Sequence, residues 1–175
     1  MPTIPQTGLL YLGVDPGSSG GLVLLSGSGK VADLLIPSSG EALGIDCEKE
    51  TATWIGQCGA YCAVIEQVGG WIPGREGAAH SGAPGSAMFT FGRSYGFLRG
   101  CLASAGIPFT SVVPRVWQRE FSLRRTKGEK GPQYKRRIAD RASELFPDAP
   151  VTLKTADALL IAEYCRRNYF LAKTC

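Results

Sequence analysis

Three acidic residues stand where an acid is costly. Asp15 ends the apolar run Leu9-Leu10-Tyr11-Leu12-Gly13-Val14 and precedes the turn Pro16-Gly17-Ser18-Ser19-Gly20-Gly21. Glu66 ends the run Cys62-Ala63-Val64-Ile65, and Asp157 interrupts the otherwise apolar stretch Ala156–Ala162. An isolated carboxylate on a buried element loses hydration. Carboxylates that converge also repel one another unless a cation neutralises them. Carboxylate oxygens at neighbouring strand ends suit Mg²⁺ or Mn²⁺. Two such ions about 4 Å apart clamp a scissile phosphate, one activating water and the other stabilising the leaving oxygen. Taken singly, each acid also reads as a turn acid or a helix-N-terminal acid. Their joint placement beside a basic segment is what points to phosphodiester chemistry.

That basic segment is compact. The net charge of +4 divides into a net −3 over residues 1–114, a net +7 over 115–141 and balance in the rest. The positive residues are Arg115, Arg119, Arg124, Arg125, Lys127, Lys130, Lys135, Arg136, Arg137 and Arg141. Such a stretch attracts polyphosphate, because each phosphate contact releases condensed counterions. It also reads as a solvated helix face that keeps the protein in solution. Arg124, Arg125, Lys127, Lys130 and Lys135 are the candidate DNA contacts, with Lys127, Lys130 and Lys135 foremost for phosphate.

The elements that must position these residues follow from the pattern. Residues 9–15, 22–25 and 31–36 read as three antiparallel strands joined by glycine turns. A short helix is expected within 43–59, then a buried strand over 62–66. Residues 67–85 form a Gly/Pro-rich loop, with six glycines between Gly69 and Gly85, and a loop of that length in a compact domain is usually functional or mobile. Ser86 offers an N-cap to a helix running to about Ala105, whose apolar stripe is Met88, Phe91, Tyr95, Leu98 and Leu102. A strand over 109–113 closes at Pro114, and a short helix covers 115–121. Residues 122–131 read as a basic, mobile loop, and Pro132 opens a helix that stops at Pro147. Thr155 to about Phe170 is the last helix. Hairpin-joined strands followed by α/β crossovers predict an α/β fold with a mixed five-stranded sheet flanked by helices.

Length and composition set the bounds. The 175 residues, 44% hydrophobic and 19% charged, suit one globular domain with a real core and exclude a fully disordered chain. The whole chain reads as a single domain, with residues 1–8 and 171–175 as flexible tails. No apolar run approaches the roughly 20 residues of a membrane span. The first residues carry no basic segment, which predicts no secretory signal and an intracellular protein. The six cysteines do not need to form a disulfide framework in a chain of this length. The Cys58/Cys62 pair has no second pair and no nearby histidine to complete a zinc site.

In the order of the chain, five segments resemble one family. Gly13-Val14-Asp15-Pro16-Gly17-Ser18-Ser19-Gly20-Gly21 resembles the first-strand motif of the RuvC family of Holliday-junction resolvases. Val64-Ile65-Glu66-Gln67-Val68 is similar to its second acidic motif, and Ala87–Gly96 to the helix that follows, notably in phage-type members. Val112–Gln118 resembles the next strand and helix entry. Glu144-Leu145-Phe146-Pro147 followed by Ala156–Ala162 resembles the final motif. The resemblance spans roughly residues 9–167. It implies a ribonuclease-H-like fold, a homodimer, and a crossover junction endodeoxyribonuclease that nicks paired strands at a four-way DNA junction. Asp15, Glu66 and Asp157 would be the metal ligands, for Mg²⁺ or in its place Mn²⁺, two ions per active site. Asp15 and Asp157 would hold metals while Glu66 bridges or orients the nucleophile, and one lysine would assist the transition state. The setting implied is a phage-infected or bacterial cytoplasm, or an organelle.

The resemblance also marks a departure. The family usually carries Asp or His three residues before the last acid, and here that position is Lys154. An ammonium has no lone pair for a cation. Three residues apart on a helix means one face, so Lys154 should lie near the metals, where it would bind the scissile phosphate, replace part of the second metal's charge, or mark weakened activity. Asp148, in a Pro-flanked turn, is a poor substitute. Trp71, in the loop after Glu66, is the candidate wedge between bases, while Phe89 and Arg93 are candidate DNA contacts on the helix that follows. His80 is conceivable as a general base but reads better as a plain loop residue. Three further readings stay open: a junction-binding protein without chemistry, motivated by Lys154; a related nuclease acting on other branched DNA or RNA; and an actin- or sugar-kinase-like ATPase, for which 175 residues leave no second domain.

Overall fold

The computed structural model describes residues 8–17, 20–37, 45–67 and 85–168, with the backbone alone at 45–46 and 85–88. Trp71 and His80 therefore lie outside the described residues. The chain builds β1 (Leu10–Val14), β2 (Leu22–Ser26), β3 (Val31–Leu35), α1 (Ile45–Gln57), β4 (Cys62–Glu66), α2 (Gly85–Ser104), β5 (Phe109–Val112), α3 (Pro114–Glu120), α4 (Gly131–Leu145) and α5 (Ala156–Asn168). The sheet order is β3-β2-β1-β4-β5. The hairpin strands pair antiparallel, and β4 and β5 add in parallel through helical crossovers. This is the mixed five-stranded α/β architecture that the sequence pattern predicts.

Strand alternation sends the apolar runs to both faces of the sheet. Leu12, Val14, Leu24, Ala63 and Ile65 pack with Leu98 and Leu102 of α2 and Ile55 of α1. Tyr11, Val23, Leu25, Cys62 and Val64 face the opposite layer, with Trp117, Ile138, Ala142 and the buried side of α5. The α2 stripe lies as expected at its C-terminal end, where Leu98 and Leu102 are buried. In the second layer, Cys62 and Cys165 meet as thiols, Sγ to Sγ 3.8 Å, between β4 and α5. Glu163 is buried and accepts from Arg166 and Arg167 on its own helix. Arg166 also donates to the Gly27 carbonyl, which ties α5 to the β2–β3 turn.

One contact decides where α5 lies. A Cβ on Gly13 would stand 2.2 Å from the Ala162 backbone nitrogen and 2.5 Å from the Ala158 carbonyl oxygen. Only glycine lets the helix backbone rest directly on β1. No described helix is long and apolar enough to cross a membrane.

One expectation changes. The segment at 122–130 is tied together rather than loose. Arg137 donates to both Glu129 carboxylate oxygens and to the Arg124 carbonyl, Arg125 donates to the Glu129 carbonyl, and Thr126 N–H donates to Glu129. Glu129, an acid inside the basic run, is the residue that organises it. The last helix begins at Ala156, one residue after the expected start, and Lys154 precedes it from either start.

Candidate active site

The parallel register of β1 and β4 pairs Val14 with Ile65, so one residue further along Asp15 and Glu66 leave the sheet side by side. Both share the side-chain face of Gly13 and Val64, which is the face that α5 covers. Asp157 is in the first turn of α5. The close approach at Gly13 therefore brings the third acid to the other two.

Each acid is held from a different direction. Gly17 N–H donates to Asp15 Oδ1 at 3.0 Å, and Gly20 comes so near that a Cβ there would stand 2.2 Å from the Asp15 carbonyl oxygen. The turn thus wraps around the acid that it follows. Trp117 Nε1 donates to Glu66 Oε1 at 2.9 Å from the core below. Lys135 Nζ of α4 meets Asp157 Oδ2 at 2.6 Å.

The electrostatics carry the mark of crowded carboxylates. Burial and then the Asp157 charge push Asp15 up to about 6, against the Gly17 hydrogen bond. Burial and the charge of Asp15 push Glu66 up to about 7, with Asp157 adding to the rise and the Trp117 N–H opposing it. Burial would lower Lys135, but the Asp157 carboxylate beside it outweighs this and holds it above the ordinary lysine value. The Tyr134 hydroxyl, next to Lys135 in sequence, is buried without a hydrogen-bond partner. Burial first, then Asp157, pushes it up to about 12.

This donor set fits a hard divalent cation chemically. Asp15 and Glu66, both raised by burial and by neighbouring acid charge, define a place that favours positive charge, and oxygen donors are what Mg²⁺ and Mn²⁺ take. Among the described residues no trio of His, Cys, Asp or Glu is already drawn together tightly enough to hold an ion. The cation now closest to Asp157 is the Lys135 ammonium.

The remaining candidates divide. Lys154 is exposed in the turn ahead of α5, its backbone N–H bonded to Thr152 Oγ1. The one-face argument that put it over the metals needed a helix that has not yet begun there. Arg93 forms an ion pair with Glu48 of α1. Phe89 is 74% exposed at the start of α2. Arg125 lies over the Tyr134 ring as well as on Glu129. Among the described residues no acid pairs with Arg124, Lys127, Lys130 or Arg136, all of which are exposed.

Two roles were not read from the sequence. Trp117 was only part of a motif, and nothing in the spacing says that its indole reaches Glu66. Lys135 was grouped with the phosphate contacts. A signal existed, because Lys135 lies three residues before Ile138, which is on the buried stripe of α4, so the lysine starts from the inner face.

No protein-family model and no curated protein matches the sequence. Solved structures do. T. thermophilus RuvC in complex with a Holliday junction substrate superposes with a TM-score of 0.62 at 15% identity, over 95% of this chain and 96% of that one. A second Thermus thermophilus RuvC structure gives 0.57 at the same identity and coverage. The likeness is one of fold, and it runs nearly end to end: the chain has a RuvC-type, ribonuclease-H-like architecture.

Proposed function

We propose that this protein is a structure-selective, divalent-metal-dependent endonuclease that resolves four-way DNA junctions by paired nicks. The observation that carries the reading is the placement of Asp15, Glu66 and Asp157 at one end of the sheet, with Asp15 and Glu66 raised by burial and by the neighbouring acid charges and Asp157 paired with Lys135. The fold likeness to RuvC bound to a Holliday junction supports the substrate class.

Asp15, Glu66 and Asp157 would hold Mg²⁺ or Mn²⁺, which when bound supplies an activated water and charge for the leaving oxygen. The protein's own part is positioning. The Gly17 N–H keeps Asp15 pointing along the turn. The Trp117 indole fixes the Glu66 carboxylate and favours its charged form. The core beneath the acids excludes water on one side, which strengthens every charge interaction in the site. The exposed Arg124, Lys127, Lys130 and Arg136 would meet the DNA backbone. Paired nicks need two sites, which a homodimer supplies.

The test is cleavage of a synthetic four-way junction with Mg²⁺ or Mn²⁺, against linear duplex and the Asp15→Asn variant. Metal-dependent paired nicks confined to the junction and absent in the variant are expected. A second reading, a junction-binding protein with weak or no cleavage, is favoured by Lys154 standing where the resemblance calls for a fourth ligand. Tight junction binding without nicks in either metal would select it. Nicks on other branched DNA or on RNA, with the junction left whole, would move the substrate within the same chemistry.

A further inference from the structure

The closest pairing in the acidic site is between a lysine and the acid that the nuclease reading gives to a metal. Lys135 Nζ lies 2.6 Å from Asp157 Oδ2. The two ends of the pair are unequal. The Asp157 side chain is 8% exposed and anchored in the first turn of α5, whereas Lys135 is 51% exposed on α4. An ammonium on a flexible four-carbon stem can leave toward solvent, but a carboxylate set in a buried turn cannot. The ammonium occupies a lone-pair site of Oδ2 and sets a positive charge beside it, so it repels a second cation approaching that carboxylate and competes with it.

We propose that Lys135 is a built-in counter-cation of Asp157, which steadies the carboxylates in the metal-free protein and competes with a divalent ion for that acid. The proposal rests on the metal-dependent reading above and adds a regulatory contact to it. Metal affinity is then set partly by a residue that is not a ligand.

The test is Mn²⁺ binding to the full chain, followed by the loss of the free-ion electron paramagnetic signal, in wild type, Lys135→Gln, Lys135→Arg, Asp157→Asn and the Lys135→Gln/Asp157→Asn double variant. Lys135→Gln is expected to bind Mn²⁺ about fivefold tighter than wild type, the size a half-exposed ion pair can supply. Lys135→Arg keeps a cation and should stay near wild type. In the Asp157→Asn background the glutamine should change much less, because the direct partner is gone and only the weaker charge effect on Asp15 and Glu66 remains. The thermal midpoint in EDTA should fall in Lys135→Gln and recover with Mn²⁺ by more than wild type gains. Lys135→Met, which keeps the apolar stem, repeats the measurement if glutamine unsettles the fold. Equal or weaker Mn²⁺ binding by Lys135→Gln and Lys135→Met overturns the proposal and leaves the nuclease reading standing. If neither wild type nor any Lys135 variant binds Mn²⁺ at millimolar concentration, the metal-dependent reading itself falls and takes the counter-cation with it. Binding by Lys135→Gln alone would support the proposal in its strongest form.

Discussion

The fully buried indole of Trp117 donates from α3 to the Glu66 carboxylate at 2.9 Å. An acid at a strand end is thereby fixed by a residue of the hydrophobic core 51 positions away. A buried Trp N–H needs an acceptor, and a half-buried carboxylate needs donors, so each satisfies the other. Trp117→Phe removes the donor while keeping most of the volume. Glu66, already pushed up to about 7, should rise further, because the N–H is among the few influences lowering it. The acid limb of the cleavage pH profile should move to higher pH. Stability should fall by about 1–3 kcal/mol in a denaturant titration. An unmoved acid limb with lowered stability would reduce Trp117 to packing.

Gly13 makes a second contact that other side chains forbid. Its Cβ position is filled by backbone atoms of Ala158 and Ala162, which cannot swing aside as a side-chain tip could. Gly13→Ala should push α5 off the sheet and carry Asp157 away from Asp15. A loss of about 3 kcal/mol or more, or failure to fold, is expected. A stable, fully active Gly13→Ala protein would mean that α5 is not set by this approach.

The raised carboxylates make a pH-dependent prediction for the metal-free protein. Native Asp15 and Glu66 hold protons up to about pH 6 and 7, whereas in the unfolded chain they release them near 4. The native state therefore binds more protons between these limits, and stability falls as pH rises through them. In EDTA the thermal midpoint should drop between pH 5 and pH 8. Asp15→Asn should flatten that drop and be more stable than wild type at pH 8 by about 1–2 kcal/mol, while cleaving nothing. A wild-type midpoint that climbs from pH 5 to 8 as steeply as the variant's would show that the acids do not feel one another.

Charge at Arg124, Lys127 and Lys130 should act through DNA affinity alone. Replacing Arg124, Lys127 and Lys130 by Gln should weaken junction binding. Each lost phosphate contact lowers the slope of log affinity against log salt by about 0.9. Cleavage at saturating enzyme should hold near wild type. An unchanged salt slope would place the DNA elsewhere.

Lys154 gives a prediction opposite to the one its sequence position invites. It is exposed ahead of α5, and no described side chain pairs with its ammonium. Lys154→Ala should keep junction cleavage within about twofold of wild type. A loss of a hundredfold or more would return Lys154 to the reacting phosphate.

Period-two and period-four patterning made the strands, the α2 stripe and the mixed sheet legible, because burial on these elements is set by local alternation. The acids were legible for the same reason: a carboxylate at the end of an apolar run stands out from its neighbours. Legible too, once seen, was the lysine three positions before buried Ile138. The sequence by itself thus determined which elements form and which charges are out of place.

What each acid touches was decided by the tertiary structure. The Asp157–Lys135 and Glu66–Trp117 contacts join residues 22 and 51 positions apart, and no local period links such distances. The Gly13 approach sets the depth of α5 against β1, and that depth decides whether Asp157 reaches the other acids. The turn ahead of α5 is a local device by contrast: Thr152 and Thr155 hydroxyls bond backbone groups within five residues and leave Lys154 exposed before the helix.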